Sequence, residues 1–212
     1  RYITSSAGSY LTLARSNNAT IGTNTLISNA DEEIGKILFN AANGATWTTV
    51  SRIRAFSGTG GHTASTDMPS YMTFETTPDG SGTIAERMRI SEAGYVGIGI
   101  TAPSLLLHVS GTGGNIAKFV STSGGGFVLI DAPTNSNSGI VLQENNTNKW
   151  DFFNDGTDSD KLKIQSKSPQ AVRMTIQQDG FVGIAMTTPS VALDVTGDIE
   201  YTGTITDVSD RR

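Results

Sequence analysis

Apolar and polar positions alternate with a period of two through most of this 212-residue chain, and apolar residues never hold helical spacing for more than a few residues. That pattern predicts short β-strands with one apolar face each and almost no helix. Strand candidates fall at residues 10–14, 33–39, 48–56 and 71–75, then at 127–130, 139–142, 149–153 and 161–164. Turn-rich stretches separate the first group, at Asn43-Gly44, at residues 58–67 and at Pro78-Asp79-Gly80-Ser81-Gly82. Short strands at such intervals predict β-sandwich-like modules.

A repeat organises the pattern. Residues 87–111 laid over residues 173–197 match at 13 of 25 positions, with a constant offset of 86. The matched positions are apolar or turn-forming, and the one charged identity is Arg87 over Arg173. In the first copy Met88 and Ile90 share a face, Gly94 reverses the chain, and Val96, Ile98 and Ile100 return opposite Gly97 and Gly99. Val182, Ile184 and Met186 stand opposite Gly183 and Ala185 in the second copy. Two glycines on one strand face predict the close approach of a neighbouring strand. Pro103 and Pro189 then turn the chain into a last alternating stretch, Leu105, Leu107 and Val109, matched by Val191, Leu193 and Val195.

Each copy is too thin to cover its own apolar face. Residues 112–172 separate the copies, so they cannot stack on one another as solenoid repeats do, and the remaining cover is another chain. The expected layout is a sandwich-like module at 1–85, a stem repeat at 86–111, a second β module at 112–171, a second stem repeat at 172–206 and a stub at 207–212. The fold class is all-β.

Composition removes several functional classes. Charged residues are 17% of the chain and the net charge is −5, so the basic surface that nucleic-acid binding requires is missing. No apolar run approaches the roughly 18 residues that cross a bilayer, so no membrane insertion is expected. With no cysteine, a disulfide framework and a thiolate metal site are excluded. Arg1 in place of Met, without a signal-peptide pattern, predicts a fragment of a longer polypeptide.

Candidate chemistry is sparse. His62 and His108 are the only histidines and have no metalloprotease spacing. His108 matches Asp194 and alternates with Leu107 and Val109, which favours a surface position. His62 lies with Asp67 in the loop at 57–70, where a plain exposed position competes with a binding contact. The run Asn154-Asp155-Gly156-Thr157-Asp158-Ser159-Asp160 carries oxygen ligands at calcium-like spacing, but Gln165 stands where an EF-hand has its bidentate glutamate. An acidic turn is favoured there, and no metal or cofactor is expected. Glu32, Glu33, Glu75, Glu86, Asp151 and Asp155 are conceivable members of a glycan-cleaving pair, though none sits in a recognisable motif. Trp47, Tyr71, Trp150, Phe152 and Phe153 are platforms on which a sugar could stack, against the commoner role of strand aromatics in a core. Trp150 and Phe153 point to opposite faces of a regular strand.

The ordered residues ERMRI…G-VGIG-TxP…L-V-G, Asp198-Ile199-Glu200-Tyr201-Thr202-Gly203 and the terminal Val208-Ser209-Asp210-Arg211-Arg212 resemble the distal part of tailed-phage fibre and tailspike proteins. The stretch from GKILFNAANG to AERMRI is similar to modules of such fibres. The resemblance implies an intertwined homotrimer, triple β-helical or prism-like, whose C-terminal intramolecular chaperone aligns three chains and then cuts itself away. The cut would fall between Ser209 and Asp210. The lysine that activates the family's serine lies beyond this sequence, and without a base Ser209 is an ordinary hydroxyl.

The implied role is a virion adhesin, assembled in the host cytoplasm and extracellular in the mature particle. Three copies of a weak site would bind a host-surface glycan or outer-membrane protein by avidity, beside other phage tail proteins. His62, Asp67, Tyr71, Trp150, Asp155 and Asp158 are the receptor-contact candidates, and no catalytic residue is expected. A polysaccharide-degrading tailspike module and a purely structural shaft are the alternatives.

Overall fold

The computed structural model describes residues 11–16, 26–63, 66–112, 114 and 116–203. Its strands fall into two units, Arg1–Phe119 and Val120–Arg212. Unit 1 orders β1 (Glu33–Ala42), β2 (Trp47–Ser57), β3 (Ser70–Thr76), β4 (Ala85–Ile90), β5 (Val96–Ile98) and β6 (Leu107–Val109) in one sheet, in chain order. Unit 2 builds the same sheet from β7 (Ser138–Glu144), β8 (Thr147–Asp155), β9 (Lys161–Lys167), β10 (Gln170–Ile176), β11 (Val182–Ile184) and β12 (Leu193–Val195). All neighbours are antiparallel except the last pair of each unit, which is parallel. The all-β expectation holds among the described residues. Each unit has a single layer, however, where packed sandwich layers were expected, and each stem repeat continues the sheet of the strands before it.

The register shows what the alternation encodes. Cross-strand partners Ile37, Ile53, Phe74, Met88, Ile98 and Val109 form an apolar row across all six strands of unit 1. Ile140, Phe152, Ile164, Met174, Ile184 and Val195 form its counterpart in unit 2. Partners share a face, so the face read for Met88, Ile90, Val96 and Ile98 is correct. Among the described residues no second layer of strands covers it: Ile37, Ile98, Ile140 and Phe152 are between 41% and 49% exposed. The opposite face is polar and more deeply buried, with Thr73, Glu75, Lys163 and Thr175 at 6% or less. The buried large apolar side chains among the described residues are Ile27 and Phe56.

The parallel last pair explains the glycines. An ordinary turn after β5 would give an antiparallel neighbour, but here the chain crosses over the sheet before entering β6. A Cβ on Gly97 would lie 2.6 Å from the carbonyl oxygen of Ile100 and 3.4 Å from Pro103. On Gly183 it would lie 2.9 Å from the carbonyl oxygen of Met186. The close approach is real: the chain's own crossover makes it at Gly97 and Gly183, and the Ser110 carbonyl, just beyond the neighbouring β6, makes it at Gly99. Two expected strands are absent: residues 127–130 and the described part of 10–14 have no regular structure.

Candidate functional site

Most of the sequence's candidates are engaged in holding the fold. His62 is 4% exposed: its backbone N–H donates to the Ile27 carbonyl at 2.9 Å, and Nε2 lies 3.1 Å from the Pro69 carbonyl. The loop around it is tethered by Gly58 N–H to the Pro69 carbonyl at 2.7 Å and by Thr59, whose N–H and hydroxyl both donate to Glu92. This corrects the exposed-loop reading of His62, whose backbone and ring are held by carbonyls from two other segments, at Ile27 and Pro69. Asp67 accepts from the Thr63 hydroxyl.

Tyr71 stacks on Phe56 with ring centroids 4.8 Å apart, and the Arg89 guanidinium lies 5.0 Å from its own centroid. Burial and a hydrogen bond with Asp31 push the Tyr71 phenol up to about 12. His108 Nδ1 lies 3.4 Å from the Ser104 N–H, and Asp194 Oδ2 accepts from the Ser190 N–H at 3.1 Å. Histidine and aspartate thus occupy one clamp at the entry to the last strand of each unit.

The carboxylates raised for a hydrolytic pair sit beside cations. Glu75 lies between Arg52 Nε at 2.6 Å and Arg54 Nη2 at 2.5 Å, and accepts from Thr73 Oγ1 at 2.8 Å. Burial alone would raise its pKa. The hydrogen bonds from Thr73, Arg52 and Arg54 outweigh that and hold it below the usual range. Glu33 pairs with Lys36 at 2.9 Å, Glu86 with Arg89 at 2.7 Å, and Glu32 with Arg15.

The calcium-like loop is an ion-pair cluster. Lys163 Nζ donates to Asp155 at 2.8 Å and to Asp158 at 2.6 Å, and Lys161 Nζ reaches Asp158 at 2.9 Å and the Thr187 carbonyl at 3.2 Å. Desolvation works against the charges on both Asp155 and Lys163, yet their mutual hydrogen bonds win, lowering Asp155 and raising Lys163. Two ammonium groups stand where a cation would need free carboxylate oxygens. Asp155 and Asp158 are therefore internal partners of the sheet. Trp150 is 43% exposed and sits in line with Leu142 and Ser166, on the apolar face. Ser209 and Asp210 lie outside the described residues.

A cleft on the polar face of unit 2 gathers three of the sequence's candidates, Asp151, Phe153 and Asp155, which the sequence did not connect. About 440 Å³ in volume, it is lined by Asn137, Gly139, Asp151, Phe153, Gln165, Lys167 and Gln170, among others. Gly139 is the cross-strand partner of Phe153 and adds no side chain over it. Asp151 Oδ2 pairs with Lys167 at 2.5 Å, while the buried Oδ1 has no partner. An aromatic floor with a carboxylate, an ammonium and amides around it suits a polar ligand that has an apolar face. The available signal was Asp151 and Phe153 two apart on one strand opposite a glycine, which is legible only once the pairing is known.

The single-layered sheet whose last strand is reached by a crossover, built twice in one chain, is similar to the fold of a solved phage tail-fibre domain. The chain superposes on the carboxy-terminal domain of the bacteriophage T5 L-shaped tail fibre with a TM-score of 0.64 at 14% identity, covering 99% of this chain and 96% of that one. Against the same domain solved with its intramolecular chaperone domain, the TM-score is 0.63 at 14% identity, over 99% of this chain and 68% of that one. No family model matches the chain, and no curated protein matches its sequence.

Proposed function

We propose that the chain is the distal part of a homotrimeric phage tail fibre that attaches the virion to its host by multivalent binding. The observation that carries this is the pair of six-strand apolar rows, open in each unit of a tail-fibre fold. Half-exposed apolar side chains in both rows, Ile37, Ile98, Ile140 and Phe152 among them, suit chains that cover one another. Covering one row contributes on the order of 5 kcal/mol, taking about 1 kcal/mol per half-exposed side chain.

Three chains around one axis would bring the rows together and leave the polar faces outward. The cleft over Phe153 would then be presented three times on one particle, and avidity makes a weak site sufficient. Its composition favours a glycan receptor: a pyranose ring stacks on the phenylalanine while Asp151, Gln165 and Lys167 take its hydroxyls. The clamped carboxylates favour binding over hydrolysis. Chaperone-assisted assembly, with a cut at Ser209-Asp210, fits the part of the T5 chain that is matched.

Sedimentation at micromolar concentration tests the assembly, and a monomer there sinks it. Competition of the purified protein with virion adsorption tests attachment, with Phe153→Ala expected to abolish the competition. Competition unaltered by Phe153→Ala moves the receptor site elsewhere. No competition at all favours the structural shaft, and release of reducing sugar from host polysaccharide favours the degrading tailspike.

A further inference from the structure

Resting on the homo-oligomeric reading above, we infer that residues 127–130 of one chain add as a strand to the outer edge of β7 in a second copy. Phe127-Val128-Leu129-Ile130 is a continuous apolar run, the pattern of a strand buried on both faces. In this chain it is the opposite of buried: Phe127 is 94% exposed, Leu129 90% and Val128 65%. No backbone group of these four residues has a hydrogen-bond partner among the described residues. Paired side chains and a paired ladder are what the run lacks, and one added strand position supplies both.

The acceptor is in the same unit. β7 ends the sheet order of unit 2, so its outer side carries an unpaired row of N–H and C=O groups. It presents Ile140 and Val141, each 49% exposed, and Leu142, 56% exposed. Sheet edges are normally blunted by lysine, proline or a cover. The sequence Ser-Gly-Ile-Val-Leu-Gln-Glu has neither residue, and its one charge stands at the end.

The run does not reach the edge of its own sheet. Between them the chain makes a turn, with Ser136 N–H donating to the Pro133 carbonyl at 3.0 Å and Asn135 at φ 59, and it enters β7 from there. A second copy offers an identical edge without that constraint. The run and the edge of β7 are both left open in the same unit, so one contact between copies covers both. Such an exchange ties each chain's apolar run to its neighbour's sheet, so the strand order of unit 2 is completed only in the assembly.

The test uses the cysteine-free background. Leu129→Cys and Val141→Cys chains carrying tags of different size are co-expressed and oxidised, with sedimentation run in parallel. A mixed disulfide between the two tagged chains is expected. An oligomer without that mixed band overturns the strand exchange and leaves the oligomeric reading standing, whereas a monomer overturns both. Hydrogen exchange on the unaltered protein guards against variants that fail to assemble. The amides of 127–130 should exchange at least about 100-fold more slowly than free peptide, and free exchange in an assembled particle sinks the inference.

Discussion

In unit 1 a glutamate on the third strand, Glu75, is held by arginines from the second; in unit 2 a lysine on the third strand, Lys163, is held by an aspartate from the second and another from the turn between them. The second pair in unit 2, Asp151 with Lys167, has the same polarity, acid on the second strand and base on the third. Strand order, last-pair geometry and apolar row are alike, yet the polar faces neutralise themselves with opposite signs. The fold therefore demands that the charges on this face be satisfied and is indifferent to which strand carries which sign. Its apolar face has no such freedom, since all twelve positions of the two rows are apolar.

That contrast between faces gives the largest expected effect. Ile53→Asp in unit 1 or Ile164→Asp in unit 2 places a charge in the middle of an apolar row. Either should abolish assembly, at a cost of about 3 kcal/mol or more per chain, read by sedimentation. If both variants remain oligomeric, the rows are not the interface.

The contrast in charge gives the next. Glu75→Gln and Lys163→Met should each cost about 2 kcal/mol at neutral pH, reduced from the fully buried case because Arg52, Arg54 and Asp158 are partly exposed. The pH profiles separate them. Glu75, Asp155 and Asp158 have lowered pKa values, so their contribution is present above the unfolded carboxylate range, about pH 4, and disappears as pH falls below it. Both variants should converge with the parent in acid. Lys163 is raised, so its contribution is complete below the unfolded lysine value near pH 10.4 and is lost as pH rises through the folded one. Only Lys163→Met should converge with the parent at the alkaline end, because arginine does not titrate there. Denaturant midpoints at fixed chain concentration measure this, and matching alkaline limbs would break the comparison.

A smaller difference lies in the crossovers. Gly97→Ala puts a methyl 2.6 Å from a backbone oxygen, and Gly183→Ala puts one at 2.9 Å. We expect about 2 kcal/mol of destabilisation for the first and about 1 kcal/mol for the second, measured by thermal unfolding. Equal costs would show that the crossover of unit 1 yields more easily than its geometry suggests.

What was legible in the sequence was local and periodic. Alternation at Met88, Ile90, Val96 and Ile98 gave strand, face and the lack of cover, because a strand's period is fixed by its backbone. The glycines announced a close approach, but not that Ile100 and Met186 of the same chain would make it. A crossover and a turn use the same residues, and sequence does not distinguish them. The run 127–130 has strand composition without a ladder in its own chain, since pairing is a property of two segments. His62 was misjudged, and the lysine partners of the 154–160 turn went unread, for a related reason. Their partners, Ile27, Pro69, Lys161 and Lys163, come from other strands and loops, and spacing within a motif says nothing of them. Phe153, Asp151 and Asp155 were each named as candidates, but their convergence on one cleft was hidden in the same way.

The smallest effect, that of Ala185→Gly, concerns the one place where the repeat keeps its backbone but exchanges a glycine for an alanine. Gly99 has φ +70, and its match in unit 2 is Ala185 at φ 55. Both N–H groups make the same bond, to the Arg87 carbonyl at 2.9 Å and to the Arg173 carbonyl at 2.9 Å, so the left-handed geometry is imposed by the sheet. An alanine pays roughly 1 kcal/mol to stand there. Ala185→Gly relieves that and loses part of the gain to the freer unfolded chain, leaving a net stabilisation of about 0.5 kcal/mol. Gly99→Ala should run the other way and further, because its methyl would also meet the Ser110 carbonyl oxygen at 2.2 Å. Opposite signs for the two reciprocal exchanges, read as shifts in unfolding midpoint, are the expected outcome. The same sign for both would mean that the two stem repeats do not share the backbone constraint their register indicates.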